Sequence, residues 1–477
     1  MNIYIRVDGN SQIGLGHLIR CFALAQMLQS DFSITFVCRC IPDKIKKDLE
    51  EARFQLLEIE NEAVFLSLPT KNDIVVLDGY HFDLAYQESI KNTAATLVCI
   101  DDLFDKEYVA DLIINHAPNV NPGNYNALVT TQFALGPEYA LLRPLFLEQA
   151  RNKKAVANLE TVFICFGGSD FKNLTEKTVA TITAFPVFKR IIVVTGVAFE
   201  QINKLKTVID SDKRIEHFHG IDERKIMELM VASDLAVVPS SGILNEVLSV
   251  GCNVISGTYV ENQKFIYSAY KNENCFYDAH DFEPKELNEA VQKAVNRVPL
   301  NKNVIDGLSG ERLLKIFKRI KMHKGMNLRL ATIEDAETTF LWAKDPEIRR
   351  FSFNKNEILR EEHVAWFQSK VNNPECIYLI AEIANKPVGS IRFDRVAGNF
   401  VISYLLGTDY HGYGLGKEIL KKGVDYLKQL VSETGLSGNT IIGFVIKDNI
   451  PSLKAFRALG FLETEDKENS KFEISIE

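Results

Sequence analysis

No CxxC pair occurs anywhere in the sequence, and of its eight cysteines only Cys38 and Cys40 lie close together. That spacing argues against both a disulfide framework and a zinc site, and scattered thiols fit a reducing compartment. No run of about 18 apolar residues appears, so no membrane-spanning helix is expected. Residues 1–7 alternate like a strand and lack the charged-then-apolar order of a signal peptide. The expectation is a cytoplasmic protein with no membrane partner. Positive charge is also in deficit: 36 basic against 41 acidic residues precede Met326, and 19 against 22 follow from it, for a formal net charge of −8. This balance does not suit a nucleic-acid partner. Any phosphate ligand must therefore be held locally, by backbone N–H groups and a few side chains. No metal site is expected.

At 477 residues the chain exceeds what one hydrophobic core supports, so two or three domains are expected. Short apolar runs at 3–7, 34–38, 74–78, 97–101 and 112–115 alternate with helical patterns, which indicates a parallel sheet covered on both faces. A second series, at 161–166, 191–195, 235–239 and 253–256, is separated by helix-length segments such as 173–184 and 243–250. The fold class is thus α/β, with two doubly wound domains, residues 1–150 and 151–322, facing across a cleft. A helix over about 308–320 carries cations toward its end, and 323–326 reads as a linker. Residues 327–477 then give a smaller α+β domain. Its strand at 328–330 and helices at 335–343 and 361–370 precede a meander of 377–383, 388–393 and 401–406, and it ends in helix 415–427, strand 440–446 and helix 451–459.

Each of the first two domains opens with a strand running into a glycine-bearing loop. In the first, Gly14-Leu15-Gly16-His17 lets the backbone approach an anion at a helix start. The third glycine of a dinucleotide fingerprint is missing, Ile19 and Arg20 standing there, and no Gly-Lys-Ser/Thr follows, which disfavours NAD and ATP. The distinctive residue is His17, directly after the second glycine, where an imidazole at a helix start on the cleft side is suited to proton transfer at neutral pH. It either activates a water or simply packs at the helix terminus.

At these residues the chain resembles the UDP-2,4-diacetamido-2,4,6-trideoxy-β-L-altropyranose hydrolases of pseudaminic acid biosynthesis. The likeness is carried by Arg6-Val7-Asp8, Gln12-Ile13-Gly14-Leu15-Gly16-His17 and Arg20, by Asp78 and Tyr80, by Asp101-Asp102, and by Tyr139-Ala140-Leu141-Leu142-Arg143. It implies a two-domain, GT-B-like fold in which His17 is the general base that deprotonates water for attack at the anomeric carbon while UDP departs. Asp8 or Asp78 then orients the imidazole or holds the sugar, with Gly14, Gly16, Arg20, Tyr80 and Arg143 on the UDP-sugar.

The second loop, Phe166-Gly167-Gly168-Ser169-Asp170, supplies backbone donors and a helix start suited to diphosphate without a lysine. Ser240-Ser241-Gly242-Ile243-Leu244-Asn245-Glu246 joins a strand to a helix, and the Glu246 carboxylate is the candidate acceptor of two ribose hydroxyls. Helix capping by Ser240 or Ser241 is the plainer reading. The resemblance adds Asn245, Glu246 and Glu261-Asn262-Gln263 to the UDP site.

In the last domain, strand 401–406, then His411-Gly412-Tyr413-Gly414-Leu415-Gly416, then an amphipathic helix, make a compact nest of N–H groups suited to pyrophosphate. With Asn449-Ile450-Pro451-Ser452, Phe456 and Gly460-Phe461 this resembles the GNAT N-acetyltransferases, which implies acetyl-CoA as co-substrate. The resemblance implies contacts from Tyr404, Leu405, Leu406, His411, Gly412, Gly414, Leu415, Gly416, Asn449, Ser452 and Phe456. His411 replaces the usual Arg or Gln, and Phe456 the tyrosine that protonates the CoA thiolate in many members. For the base that deprotonates an amine acceptor, Glu361, His363 and Glu382 are candidates, the first two being better explained as exposed helix charges. The combination implies a bifunctional enzyme that acetylates the 4-amino group of a UDP-amino sugar and then hydrolyses off UDP. Two alternatives stay open: a glycosyltransferase or hydrolysing 2-epimerase in the first part, and an acetyl-CoA-binding module without turnover in the second.

Overall fold

The computed structural model describes the chain except for residues 11–13, 168–169, 198, 200, 437, 466–467 and 477, and the side chain of residue 203. It divides into two compact units, Met1–Ile316 and Phe317–Glu477.

The first unit holds two parallel sheets. In one, the strands lie in the order Gln55–Glu58, Ser33–Cys38, Asn2–Val7, Ile74–Asp78, Thr96–Ile100, Leu112–Asn115, Gln132–Leu135. The chain moves outward in one direction from Asn2–Val7 and later returns to its other side with Ile74–Asp78. This reversal is the topological switch point of an open α/β sheet, where the loops after the two adjacent strands diverge and leave a crevice. The loop that leads to His17 and the residue Asp78 lie at those two strand ends. The other sheet, Ile215–His219, Arg190–Thr195, Thr161–Ile164, Leu235–Pro239, Asn253–Gly257, Tyr277–Asp278, has its reversal between Thr161–Ile164 and Leu235–Pro239. The loops at Gly167 and Ser240 follow those two strands.

Strand interiors are covered on both faces: Ile3, Ile5, Val75, Val76, Leu97 and Val98 are fully buried. The helix Gly16–Leu28 buries Leu18, Cys21, Leu24, Ala25 and Leu28, the i, i+3, i+7 stripe of a helix lying on a sheet. One cation sits inside this core. Arg6, fully buried, pairs with Asp8 Oδ2 at 2.7 Å and binds Glu62 through Nη2 (2.6 Å) and Nε (3.0 Å), with its guanidinium 5.3 Å from the Phe82 ring.

The second unit is a mixed sheet in the order Met326–Leu330, Cys376–Ile383, Lys386–Val396, Asn399–Leu406, Thr440–Ile446, Asn469–Ser475, Leu462–Glu465. All neighbours are antiparallel except Asn399–Leu406 with Thr440–Ile446. That parallel pair is in register only from Phe400–Ile441 to Ile402–Gly443, whereas on its other side Asn399–Leu406 is paired as far as Leu406. Beyond Ile402 the two central strands part. The long helix Leu415–Thr434 packs its Ile419, Leu420, Val424 and Leu427 into the core of this unit.

The parallel and meander strands fall where the apolar runs indicate. Strands that the hydrophobic pattern misses include Gln55–Glu58, Gln132–Leu135, Ile215–His219, Tyr277–Asp278, Leu462–Glu465 and Asn469–Ser475, which are polar or at the margins of their sheets. The segment expected to be a linker, 323–326, is instead the last turn of a continuous helix, Ser309–Gly325, and the first residue of the strand Met326–Leu330. Cations in the last turn suit the helix C-terminus. No helix among the described residues is long and apolar enough to cross a membrane.

Removing the Arg6 side chain leaves the Asp8 and Glu62 carboxylates without their cation. Arg6→Met is therefore expected to destabilise the first unit by about 3–5 kcal/mol, read as a lower denaturation midpoint with the second unit's transition unmoved.

Candidate functional site

His17 is the second residue of its helix, and Asp78 ends the adjacent strand. Their side chains meet: His17 Nδ1 lies 2.7 Å from Asp78 Oδ1, both buried. A contact this short between an ionised carboxylate, which only accepts, and a ring nitrogen requires a proton between them. Nδ1 therefore carries the hydrogen, so whenever the ring is neutral its lone pair is on Nε2. Arg20 Nη2 also lies 3.0 Å from Nδ1, but its bond goes to Asp78 Oδ1 at 2.6 Å, since a protonated Nδ1 cannot accept it. Arg20 Nε binds Asp78 Oδ2 at 2.7 Å and Nη1 binds Asp102 Oδ2 at 2.9 Å. The Tyr80 ring meets His17 edge-on, centroids 4.8 Å apart, and its hydroxyl reaches toward Asp102 Oδ2 at 3.4 Å. Asn262 of the second sheet's lobe is also a hydrogen-bond partner of that hydroxyl.

Burial alone would raise the Asp78 carboxyl; the charge of Arg20 and then of His17 reverse this and hold it well below the usual carboxylate range. The His17 side chain is only 8% exposed, more enclosed than its position in a loop mouth suggests. Gln12 and Ile13 of the resemblance motif lie outside the described residues. Of the two acids considered for orienting the ring, Asp78 does so. Asp8 is committed elsewhere: it accepts from the N–H groups of Arg39 (2.6 Å) and Cys40 (3.0 Å) and pairs with Arg6. A second imidazole, His116, also belongs to this region. It is buried at the end of Leu112–Asn115, its Nδ1 accepts from Leu141 N–H at 3.4 Å, and burial together with the Arg20 charge pushes it down to about 4. Sequence reading missed it because a lone histidine after an apolar strand has no spacing signal.

In the second lobe, Gly167 faces open space, while Gly168 and Ser169 lie outside the described residues. Asp170 accepts from Leu174 N–H and Thr175 N–H, both 2.8 Å, so these amides of helix Leu174–Thr183 are capped by the protein's own carboxylate. The helix Gly242–Val250 differs. Its N-cap Ser241 makes no side-chain cap bond, and Gly242 faces open space. Ser240 is fully buried and bonds Ser256 (2.9 Å), Asn245 Oδ1 accepts from the Tyr270 hydroxyl (2.5 Å), and Gln263 Oε1 accepts from Tyr259 N–H (3.0 Å). These three shape the loops with their side chains. Glu246 pairs with Arg143 Nη2 at 2.7 Å, and Arg143 Nη1 reaches Glu223 at 2.9 Å. Arg143 and Glu246, assigned separately to the UDP-sugar, are thus one ion pair joining the two lobes.

In the second unit the Tyr404 hydroxyl donates to Ser452 Oγ (3.0 Å), and Ser452 N–H donates to Asn449 Oδ1 (3.2 Å), the cap of helix Ile450–Ala458. Leu405 and Leu406 pair with Ser390 and Gly389 on one side and lie past the point where the other neighbour diverges. Gly414 precedes helix Leu415–Thr434 without a side-chain cap; Leu415 is a core residue, so its side chain is not available to a ligand. His411 turns its Nε2 toward the Leu406 carbonyl, 3.1 Å away. Phe456 is not on an open surface: it is 2% exposed, packed on Phe461, Phe472 and the Gly443 backbone. Among the base candidates, His363 is buried against Thr339 (3.1 Å), Glu382 is bound to Arg329 (2.8 Å), and Glu361 is exposed on its helix.

Residues 326–462 match the acetyltransferase (GNAT) domain model. The second unit is a GNAT domain. The chain is also 26% identical, over an alignment of 271 positions, to the UDP-2,4-diacetamido-2,4,6-trideoxy-beta-L-altropyranose hydrolase of Campylobacter jejuni, covering 55% of this chain and 94% of that protein. An uncharacterized protein of Methanocaldococcus jannaschii is 26% identical over 487 residues and 97% of both chains, so the two-part arrangement recurs. The spore coat polysaccharide biosynthesis protein SpsG of Bacillus subtilis is 22% identical over 292 residues, covering 58% of this chain and 83% of that protein. The chain is therefore a nucleotide-sugar hydrolase homologue carrying an acetyltransferase domain.

Because the folded-state value of Asp78 lies below its unfolded value, its contribution to stability is complete above about pH 4 and is lost as pH falls through the lowered folded value. Carboxyl ¹³C NMR is expected to find Asp78 still ionised at about pH 3, where an ordinary aspartate is mostly protonated; a midpoint near the ordinary value would contradict the pairing.

Proposed function

We propose that the chain is a bifunctional enzyme of pseudaminic acid biosynthesis, hydrolysing UDP-2,4-diacetamido-2,4,6-trideoxy-β-L-altropyranose and acetylating the 4-amino group of its UDP-sugar precursor. Residues 1–150 and 151–322 form the two lobes of the hydrolase, and residues 327–477 the acetyltransferase. The observation that carries the hydrolytic reading is the bond between His17 Nδ1–H and Asp78, which leaves the Nε2 lone pair as a base.

In this reading a water oxygen attacks the anomeric carbon as its proton passes to His17 Nε2. The bond from that carbon to the UDP oxygen breaks with its electron pair, giving UDP and the sugar with inverted anomeric configuration. Asp78 stabilises the imidazolium so formed, and Arg20 keeps Asp78 ionised. Departing diphosphate charge falls to the uncapped amides of helix Gly242–Val250. Glu246 takes the ribose hydroxyls alongside its pair with Arg143, and Tyr80 borders the sugar.

For the second activity, the neutral amine nitrogen attacks the acetyl carbonyl, and the carbon–sulfur bond breaks with its electron pair on sulfur, which leaves as thiolate. The nitrogen gives up one proton to solvent, balancing the one the thiolate takes up. The parted strands favour this reading, because the backbone of 403–406 is left able to pair with the pantetheine arm as an added strand. The nest at 412–416 suits the pyrophosphate. With Phe456 in the core, the thiolate takes its proton from a group other than residue 456. Eight free cysteines fit a cytoplasmic location.

Proton NMR of the full-length protein with the 4-amino UDP-sugar and acetyl-CoA tests both steps in one time course. N-acetylation, then UDP release with anomeric inversion and unchanged C2, is expected; inversion at C2 would mean an epimerase. His17→Asn should slow UDP release about 100- to 10,000-fold while UDP affinity stays within a few-fold. Unchanged turnover removes His17 from the mechanism.

A further inference from the structure

We infer that His323, outside the segment matched to the acetyltransferase family, is a positioning residue that aims the Gly414 amide at the pyrophosphate of the acyl donor; this rests on the acetyl-CoA reading above.

His323 lies in the last turn of helix Ser309–Gly325, three residues before the matched segment begins. Its Nε2 is 2.8 Å from the carbonyl oxygen of Tyr413, in the middle of the phosphate loop. A carbonyl only accepts, so Nε2 carries the proton and donates. In a planar trans peptide the carbonyl of one residue and the N–H of the next point in opposite directions. Tethering the Tyr413 oxygen to the helix therefore turns the Gly414 N–H away from it. Gly414 is the residue before helix Leu415–Thr434, whose first amides have no side-chain cap. Its N–H thus joins the donors at a helix start, where an anion is favoured.

The tether is needed because of the residues around it. Gly412 and Gly414 both hold positive φ, 81° and 71°. The Tyr413–Gly414 peptide is followed by a residue with no Cβ, and the glycines on both sides of Tyr413 leave the loop freer to reorient than other residues would. An anchor from outside the loop removes that freedom. The ring that supplies it is itself located: Gly414 packs against it, a Cβ there standing 3.6 Å from Nε2, and Glu418 flanks its other nitrogen, Oε2 3.6 Å from Nδ1. Glu418 is drawn the same distance toward Lys422. His411, at the position where an arginine or glutamine usually meets phosphate, instead bonds the Leu406 carbonyl. Recognition of the pyrophosphate then falls more heavily on backbone donors, and on whatever fixes their direction.

The test uses full-length His323→Ala and His323→Gln. For His323→Ala, calorimetric Kd for CoA and KM for acetyl-CoA should rise about 3- to 10-fold, the worth of one oriented donor, with kcat nearly unchanged. His323→Gln, whose amide N–H can reach the same carbonyl, should recover most of the loss. KM for S-acetylpantetheine, which lacks the pyrophosphate, and the rate of UDP release should not move in either variant. Unchanged CoA affinity in His323→Ala, or an equal loss with S-acetylpantetheine, overturns the inference while leaving the acetyltransferase reading intact. A wild-type chain that binds no CoA overturns both.

Discussion

The bond between Asp78 and His17 depends on Arg20. A carboxylate with almost no solvent contact, at the end of a central strand, would take up a proton if left alone, because burial penalises its charge. Arg20 prevents this with two bonds to Asp78 and a third to Asp102, and it is placed to do so by helical geometry, one turn after His17 on the same helix. Three turns of chemistry are thereby fixed by one helix start. The ionised Asp78 holds the proton of the imidazole on Nδ1, the basic lone pair is left on Nε2, and the ring is locked against the edge of Tyr80. If Asp78 were neutral, it could donate to the ring instead and the tautomer would reverse. Charge pairing, burial and the direction of the base are one constraint.

On the proposed reading, a net acidic chain that handles phosphate groups at two places must solve an electrostatic problem without a positive surface. That reading has both units solve it with backbone. In the first, the helix Gly242–Val250 begins uncapped behind a glycine, whereas the neighbouring helix Leu174–Thr183 is capped by Asp170 and offers less. In the second, the helix Leu415–Thr434 begins uncapped behind Gly414. Amide dipoles carry no net charge, so they add nothing to the chain's balance, and they act only within about a turn of the helix end. Their weakness is direction, since a glycine peptide turns easily. Contacts made by the carbonyl of the same peptide therefore matter as much as those made by the amide.

Much of this was legible in the sequence for physical reasons. Parallel strands buried on both faces appear as continuous apolar runs, and loops that approach an anion need glycine, so the sheets and both glycine loops of the first unit stand out. His17 is visible because a histidine directly after such a loop is unusual. What was not legible depends on contacts between distant residues. Nothing local distinguishes Asp78, which holds the imidazole, from Asp8, which caps the backbone of Arg39 and Cys40. Arg143 and Glu246 are 103 residues apart and meet only once the lobes are folded. His116 follows an ordinary buried strand. Polar edge strands such as Gln55–Glu58 lack the apolar signal because one side of them has no sheet to cover. His323 looked like part of a linker because Gly325 follows it, although the cations around it favour the end of a helix.

The enclosure of His17 bears on how the proposed hydrolysis selects water. A base open to solvent would hold many waters in many orientations, and few would be aligned with the anomeric carbon. With its side chain 8% exposed, His17 admits little bulk solvent, and its second nitrogen is directed by the Asp78 bond. The same enclosure lowers the local dielectric, which strengthens the Asp78–imidazolium pair once the proton has moved. Glycosyl transfer to a sugar hydroxyl would need room beside that nitrogen for a second ring, whereas hydrolysis needs room for a single water. A nearly closed base, fixed by a buried ion network, therefore fits the smaller nucleophile better.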